Sequence, residues 1–258
     1  MDSRIADMAP LVSRMRRFLA ERDQRTALLA APLDPGALVR RFGFAGRKKG
    51  TPEVILSEDV FVELGHPRLE SESIVLITFS PGLVKRDAIF LIGPDLDQMS
   101  QGEQRSFAQV VLLAVDPENI PDPFDIENTQ YLMHRLPGYM VRSMPGRLWA
   151  RVSKKGRASG LTFHTVGCAL LAAYIGDFAG VLAAEVVFVT SNREDVRALE
   201  QIRVEANILS GKHKKLVLGL DGEIECTQLN CDSCEEKPVC DNLRDIVIKR
   251  RDRRREKP

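Results

Sequence analysis

The chain has 258 residues, with 37 Lys and Arg against 36 Asp and Glu, a formal net charge of +1 and 44% hydrophobic residues. This composition is near the globular average, which excludes a wholly disordered or collagen-like chain, and the length suffices for a sizeable core. No apolar run approaches the roughly 20 residues that cross a bilayer, and the arginine-bearing N-terminus lacks the apolar core of a secretory signal. We therefore expect a cytoplasmic globular protein with no membrane span.

The N-terminal segment, residues 1–36, carries an amphipathic pattern. Its apolar residues recur at spacings of three and four, which predicts a helix over residues 1–30. These residues are Met8, Leu11, Val12, Met15, Phe18 and Leu19. Pro32 and Pro35-Gly36 end the pattern. The basic stretch that follows, Arg47-Lys48-Lys49-Gly50, is more typical of a solvated loop than of a phosphate-binding one.

Three apolar runs come next along the chain. Residues 74–77 and 88–92 are bounded by turn residues, which predicts two buried strands. The third run, residues 110–115, fits a strand or a helix, because its length does not decide between them. Residues 116–125 contain three prolines and predict an exposed connection, the best candidate for an internal boundary.

Helices and strands alternate in the second half of the chain. Residues 126–144 show a mostly helical pattern that Pro137-Gly138 interrupts, and residues 161–178 predict a mostly apolar helix. Residues 148–152 and 186–190 predict strands, because they are rich in β-branched, aromatic and other apolar residues.

A capped helix and a hairpin follow. Asn192 is a typical N-cap for a helix that ends near Ser210, with Gly211 after it. Its inward-facing residues are expected to be Val196, Leu199, Ile202 and Ala206. The Asp221-Gly222 dipeptide, with extended residues on both sides, predicts a β-hairpin.

These elements leave two fold classes open. The alternation of helices and strands without an internal repeat fits an α+β or an α/β fold, with a mixed sheet and packed helices over residues 37–222. A small four-cysteine metal-binding segment with a final helix is predicted over residues 223–248. A basic tail, residues 249–258, completes the chain.

Four of the five cysteines lie within fifteen residues of one another. Cys226, Cys231, Cys234 and Cys240 form a C-x4-C-x2-C-x5-C pattern. Clustering of this kind, in a chain expected in the cytoplasm, indicates metal rather than disulfides. Four thiolates suit tetrahedral zinc or an iron–sulfur cluster. Zinc ribbons usually present two C-x2-C pairs and this segment has one, so the pattern favours a [4Fe–4S] cluster, with zinc as the alternative.

Several short sequence motifs resemble those of one enzyme family. They are Gly93-Pro94-Asp95-Leu96-Asp97, Pro137-Gly138-Tyr139, Leu148-Trp149-Ala150-Arg151-Val152-Ser153-Lys154, Gly160-Leu161-Thr162-Phe163 and the predicted strand at 186–190. Together they resemble the acetyl-CoA synthase subunit of the carbon monoxide dehydrogenase/acetyl-CoA synthase complex, over roughly residues 40–245 and with an arginine-valine-serine-lysine word as the most specific match.

The resemblance implies cofactors and a partner. In that family a [4Fe–4S] cluster bridged to two nickel ions condenses a methyl group, CO and coenzyme A, and the four cysteines stand in the right order to hold the cluster. The family binds its distal nickel with a Cys-Gly-Cys word, which this sequence lacks. We therefore expect the cluster without nickel, and a protein partner or complex subunit beside it.

The resemblance also places coenzyme A, or an acyl-CoA, near Trp149. Arg151 and Lys154 would bind its phosphates, since arginine and lysine both recognise phosphate. The alternative is a core tryptophan flanked by solvated charges, which the residues alone favour slightly. His164 precedes Cys168 by four residues, so the two can share a helix face, with Cys168 interpreted as a buried thiol.

Two functional hypotheses follow. The first is an acetyl-CoA-synthase-like iron–sulfur protein of CO or acyl-CoA metabolism, whose own catalytic activity stays open because the nickel ligands are absent. The second is a non-catalytic four-cysteine scaffold or adapter that holds zinc or a cluster. In the second hypothesis the basic tail is the docking arm. The tail is otherwise interpreted as a disordered solvated tail or a docking arm, and we do not expect nucleic-acid binding, since no aromatic residues are interleaved with its charges.

Overall fold

A computed structural model of the chain describes residues 6–22, 25–28, 54–122, 125–126, 129–130, 136–144, 147–210, 217–218 and 224–225. The chain divides into two compact units, Met1–Leu209 and Ser210–Pro258. Across the described ranges, no helix has both the length and the apolar character needed to cross a membrane.

The described part of the first unit contains five α-helices. They are α1 (Ala9–Ala20), α2 (Lys154–Ala158), α3 (Phe163–Asp177), α4 (Arg193–Ala198) and α5 (Glu200–Leu209). The side chains of Ser153, Thr162 and Asn192 each accept a hydrogen bond from a backbone N–H three residues later, at the starts of α2, α3 and α4. These caps satisfy N–H groups that the first helical turn leaves without partners, so the polar residue before each apolar run sets where the helix begins.

Nine strands among the described residues of the first unit form two mixed sheets. They are β1 (Arg25–Leu28), β2 (Val60–Leu64), β3 (Ser71–Thr78), β4 (Ala88–Ile92), β5 (Glu103–Arg105), β6 (Phe107–Val115), β7 (Tyr139–Met144), β8 (Arg147–Ser153) and β9 (Val181–Val189). The larger sheet has the order β1-β4-β9-β6-β3, and the smaller one β5-β2-β8-β7. Each sheet combines parallel with antiparallel pairs. The fold is therefore α+β, one of the two classes expected from the sequence.

The five-stranded sheet is buried on both faces. Along β6, Val110, Leu112 and Ala114 face a core that also contains residues of α1, α4 and α5. The alternate residues Val111 and Leu113 face a second core, shared with α3 and the four-stranded sheet. Because both faces are covered, β6 reads as one continuous apolar run, which is why the sequence alone left it open as strand or helix.

The four-stranded sheet has one buried and one outer face. In β8, Leu148, Ala150 and Val152 are buried in the second core, while the residues between them are half-buried. This alternation follows from the two-residue period of a strand. It places Arg147, Trp149 and Arg151 side by side on the outer face.

Most predicted elements of the first unit are confirmed, and two are wrong. The strands at 74–77, 88–92, 148–152 and 186–190 are present, as are the helices at 161–178 and after Asn192. The predicted helix over 1–30 ends at Ala20, and Arg25–Leu28 instead pairs with β4. The mostly helical pattern assigned to 126–144 ends in a strand, Tyr139–Met144, whose pairing with β8 lies beyond the reach of a local pattern.

The connection at residues 116–125 is not an internal boundary. β6 before it and β9 after it pair along their lengths in the same sheet. The division of the chain instead follows Leu209. In the second unit, Val217–Leu218 (β10) pairs with Ile224–Glu225 (β11) in antiparallel register, which confirms the predicted hairpin.

Candidate functional site

The four cysteines of the predicted metal site, Cys226, Cys231, Cys234 and Cys240, lie outside the described residues, as do the final helix and the basic tail. Within the ranges that the structure describes, no group of three or more His, Cys, Asp or Glu side chains could hold a metal ion. The four-thiolate donor set fits iron–sulfur or zinc chemistry by its composition.

Cys168 lies in α3, apart from any such group. It is buried, and its Sγ is 3.8 Å from Nε2 and 3.9 Å from Nδ1 of His164, one helical turn earlier. The pairing allowed by the sequence spacing is therefore present, and Cys168 is a buried thiol, as interpreted.

Trp149 and Arg151 meet on the outer face of β8, around a carboxylate that comes from β2. The indole Nε1 of Trp149 donates to Oε1 of Glu63 at 3.0 Å, and Nε of Arg151 donates to the same oxygen at 2.8 Å. The Arg151 guanidinium also lies over the Trp149 ring, 4.5 Å from its centroid. A second donor of Arg151, Nη1, binds the backbone oxygen of Ile55 at 3.1 Å.

Glu63 is the centre of this cluster. Its register partner on β8 is Arg151, and Gln104 is the register partner on β5, so three neighbouring strands deliver the three side chains to one row. Gln104 Nε2 donates to Oε2 of Glu63 at 2.7 Å, and His66 Nε2 lies 4.0 Å from the same oxygen. Glu63 is only 6% exposed, and both of its carboxylate oxygens accept hydrogen bonds.

The environment of Glu63 favours its ionised form. Burial acts to raise the pKa of this carboxyl. The hydrogen bond and charge of Arg151, the Trp149 hydrogen bond and the charge of His66 outweigh burial and hold the pKa below its ordinary value. Glu63 therefore stays charged at neutral pH and keeps Arg151 and Trp149 in fixed positions.

Two other cations lie on elements that contact β8. Nζ of Lys154, the first residue of α2, donates to the backbone oxygen of Glu58 at 2.7 Å and is exposed. Arg142, on β7, is exposed, and its guanidinium carbon lies 5.8 Å from the centroid of the Trp149 ring. The three residues expected to bind coenzyme A thus lie on consecutive elements, β8 and α2, and Arg142 adds a cation that sequence reasoning missed.

A polar cavity of about 490 Å³ lies near the start of β3. It is formed by the segment before and at the start of β3 (residues 67–72), by Arg147 of β8, and by residues of α4 and α5, among them Arg197 and Arg203. Nothing in the sequence pattern indicated this cavity, because its walls come from three separated parts of the chain.

Glu63 is the residue of this site that sequence reasoning should have weighed. In a strand over the segment Val60-Phe61-Val62-Glu63-Leu64, successive side chains point to opposite faces, so the acidic side chain of Glu63 is expected on the face opposite Val62 and Leu64. Its partner could not be read in the same way, because Arg151 follows 88 positions later and pairing between distant strands leaves no local signal.

A protein-family model matches the central part of the chain. Residues 48–196 match the family described as the CO dehydrogenase/acetyl-CoA synthase complex beta subunit. The matched region contains both β2 and β8, hence Glu63, Trp149 and Arg151, and it ends before the four cysteines.

Curated archaeal proteins are similar over the same part of the chain. A protein of Methanopyrus kandleri named acetyl-CoA decarbonylase/synthase complex subunit beta is 27% identical over 154 residues, which is 58% of this chain and 32% of that protein. Subunit beta 2 of Methanocaldococcus jannaschii is 22% identical over 169 residues, 64% of this chain and 34% of that protein. The subunit beta of Archaeoglobus fulgidus is 26% identical over 140 residues, which is 54% of this chain and 26% of that protein. The matched part thus spans about a third or less of each relative.

Proposed function

Because the chain belongs to the CO dehydrogenase/acetyl-CoA synthase complex beta subunit family, we propose that it acts in CO and acetyl-CoA metabolism as one subunit of a larger assembly. The match over residues 48–196 carries this proposal, since it covers most of both sheets. The curated relatives are named as complex subunits, which supports a protein partner for this chain too.

The proposal includes one [4Fe–4S] cluster on Cys226, Cys231, Cys234 and Cys240. Their spacing in a single short segment keeps the entropic cost of bringing four ligands together small. Such a cluster accepts and donates single electrons. Because the sequence contains no Cys-Gly-Cys word, nickel is not part of the proposal.

Metal analysis of anaerobically purified protein tests the cluster. About four irons per chain are expected, with a brown colour, and Ser in place of any one of the four cysteines should lower the iron content. Cys168→Ser is the matched control, because this thiol is buried in α3 away from any metal-binding group of the described residues. Colourless protein with about one zinc would instead support the four-cysteine scaffold.

Coenzyme A is the ligand we propose for the outer face of β8. Trp149 is half-buried there beside the exposed Arg142, and the exposed Lys154 lies on the helix that follows the strand. An aromatic ring next to such cations can stack on adenine while the cations bind phosphate. To bind a phosphate, Arg151 must share or break its hydrogen bonds to the carboxylate of Glu63 and the backbone oxygen of Ile55.

Fluorescence tests this proposal directly, because Trp149 is the only tryptophan. Titration with coenzyme A should quench its emission. Lys154→Ala and Arg151→Lys should each weaken binding. Arg86→Ala, which removes an exposed arginine from the turn before β4, is the control and should bind normally. Emission that stays constant up to millimolar coenzyme A would rule out the ligand at this face.

A further inference from the structure

The polar cavity near the start of β3 has a lining rich in arginine. Four of the ten lining residues are arginines, Arg68, Arg147, Arg197 and Arg203, and three are glutamates. With all carboxylates ionised the lining carries one net positive charge, and a large share of the lining surface is polar. Such a surface is suited to an anion more than to an apolar ligand.

The carboxylates of the cavity leave many arginine donors available. Oε1 of Glu70 accepts from Nη2 of Arg197 at 2.8 Å and also from Nε of Arg193. Oε2 of Glu72 accepts from Nε of Arg203 at 2.5 Å, and Nη2 of Arg203 lies 3.7 Å from Glu200. A guanidinium has five N–H donors, so Arg197 and Arg203 each keep several for a ligand.

The remaining two arginines add to this supply. Arg147 donates to the backbone oxygens of Pro67 and Leu69, which holds its guanidinium at the cavity wall. The Arg68 side chain is exposed and has no ion-pair or hydrogen-bond partner within the ranges that the structure describes. The cations are thus held in place by protein groups without being fully neutralised.

We propose that this cavity binds a phosphate group, with the arginines donating hydrogen bonds to its oxygens. Guanidinium groups match phosphate because they donate two parallel hydrogen bonds. Inorganic phosphate and a phosphate monoester share this chemistry. Sulfate has a similar shape and charge, so it should compete with phosphate for the same arginines.

The charge at Glu72 supports the same ligand. Burial raises the pKa of Glu72 to about 7, while the Arg203 and Arg147 charges lower it and Glu200 raises it. Protonation of Glu72 below this pH adds one positive charge to the lining, which favours an anion of fixed charge.

Calorimetric titration with inorganic phosphate at pH 6 and low ionic strength tests the proposal, with sulfate and glycerol 2-phosphate in parallel. The informative pair of variants is Arg197→Ala and Arg193→Ala. Both side chains are 58% exposed and both bind Oε1 of Glu70, yet only Arg197 lines the cavity. Losing one charge-assisted contact corresponds to roughly a tenfold to hundredfold loss of affinity.

We expect saturable phosphate binding that Arg197→Ala weakens roughly tenfold or more and that Arg193→Ala changes little. Glycerol 2-phosphate that binds and competes with phosphate would identify a monoester as the source, and phosphate binding alone would identify the free anion. No saturation at about 10 mM phosphate, equal losses in both variants, or sulfate that does not compete with phosphate would overturn the proposal. None of these readouts involves the four cysteines, so the outcome is independent of the proposed cluster.

Discussion

Replacing Glu63 with glutamine tests whether this carboxylate organises the outer face of β8. The change keeps the size of the side chain and removes its charge. Arg151, whose side chain is 18% exposed, then loses its ionic partner, and the amide N–H₂ group of the substituted side chain replaces an oxygen that accepted a hydrogen bond.

The expected loss can be estimated from the contacts. A hydrogen bond to a charged group contributes about 1.5–3 kcal/mol, and removing one partner of a fully buried pair costs about 3–5 kcal/mol. Since the Arg151 side chain retains some contact with water, we expect the free energy of unfolding to fall by about 2–3 kcal/mol at pH 7. Glu103→Gln is the control: its partner Arg105 has a side chain that is 31% exposed, so the loss there should stay below about 1 kcal/mol.

Urea unfolding followed by Trp149 fluorescence measures both variants. Because the folded-state pKa of Glu63 is lowered, its contribution is present above the unfolded pKa of about 4.3 and is lost as pH falls through the folded pKa. The free energy of unfolding of Glu63→Gln should therefore be lower than that of the wild type at pH 7, and this difference should shrink in more acidic buffer. A difference below about 0.5 kcal/mol at pH 7, or one of equal size at pH 3, would refute the role given to Glu63.

Three further changes have expected outcomes. Glu72→Gln should raise the free energy of unfolding by about 1–3 kcal/mol at pH 8 and leave it nearly unchanged near pH 4, because the penalty for ionising this carboxyl is fully present above the folded pKa and is lost only as pH falls to the unfolded pKa of about 4.3; urea titrations at both pH values measure this. Asn192→Ala should cost about 1 kcal/mol by thermal or urea unfolding, because it removes the side chain that caps α4. Gly138→Ala should destabilise more strongly, since Gly138 has φ +79° and an added Cβ would meet the backbone of Gly156; a normal melting temperature would contradict this.

The sequence predicted those elements whose signals are local. The strand at 88–92 is entirely apolar and bounded by turns, and the helix after Asn192 has both a cap and an inward face of period 3.6. β1 and β7 were missed because their strand state depends on pairing with β4 and β8, contacts made across distant parts of the chain. Propensity is a weak guide where tertiary pairing decides the backbone conformation.

The candidate site also combines features that a local pattern predicts with contacts between distant residues that it does not. Placing Trp149, Arg151 and Lys154 close together needed only a predicted strand, and they do lie on β8 and the helix after it. Whether a given arginine is available to a ligand depends on its neighbours, and those come from β2, from α5 and from the segment before β3. No local pattern indicates such partners. The sequence could therefore identify the cationic residues, but it could not show which of them form ion pairs or hydrogen bonds within the fold.

The arginines at the two ends of β8, Arg147 and Arg151, differ in whether the fold supplies them with an ionic partner. Arg147 and Arg151 share the outer face, about 13 Å apart at the rise of a β-strand. At one end, the fold supplies Arg151 with a buried carboxylate and a backbone oxygen, so a phosphate there must compete with Glu63. At the other end, Arg147 is held by backbone oxygens, which are neutral and leave its charge uncompensated beside Arg197 and Arg203. The same strand therefore presents one arginine that already has an ionic partner and another whose charge has none, and a phosphate-bearing ligand of the cavity should lose more affinity when Arg147 is changed to Ala than when Arg142 is.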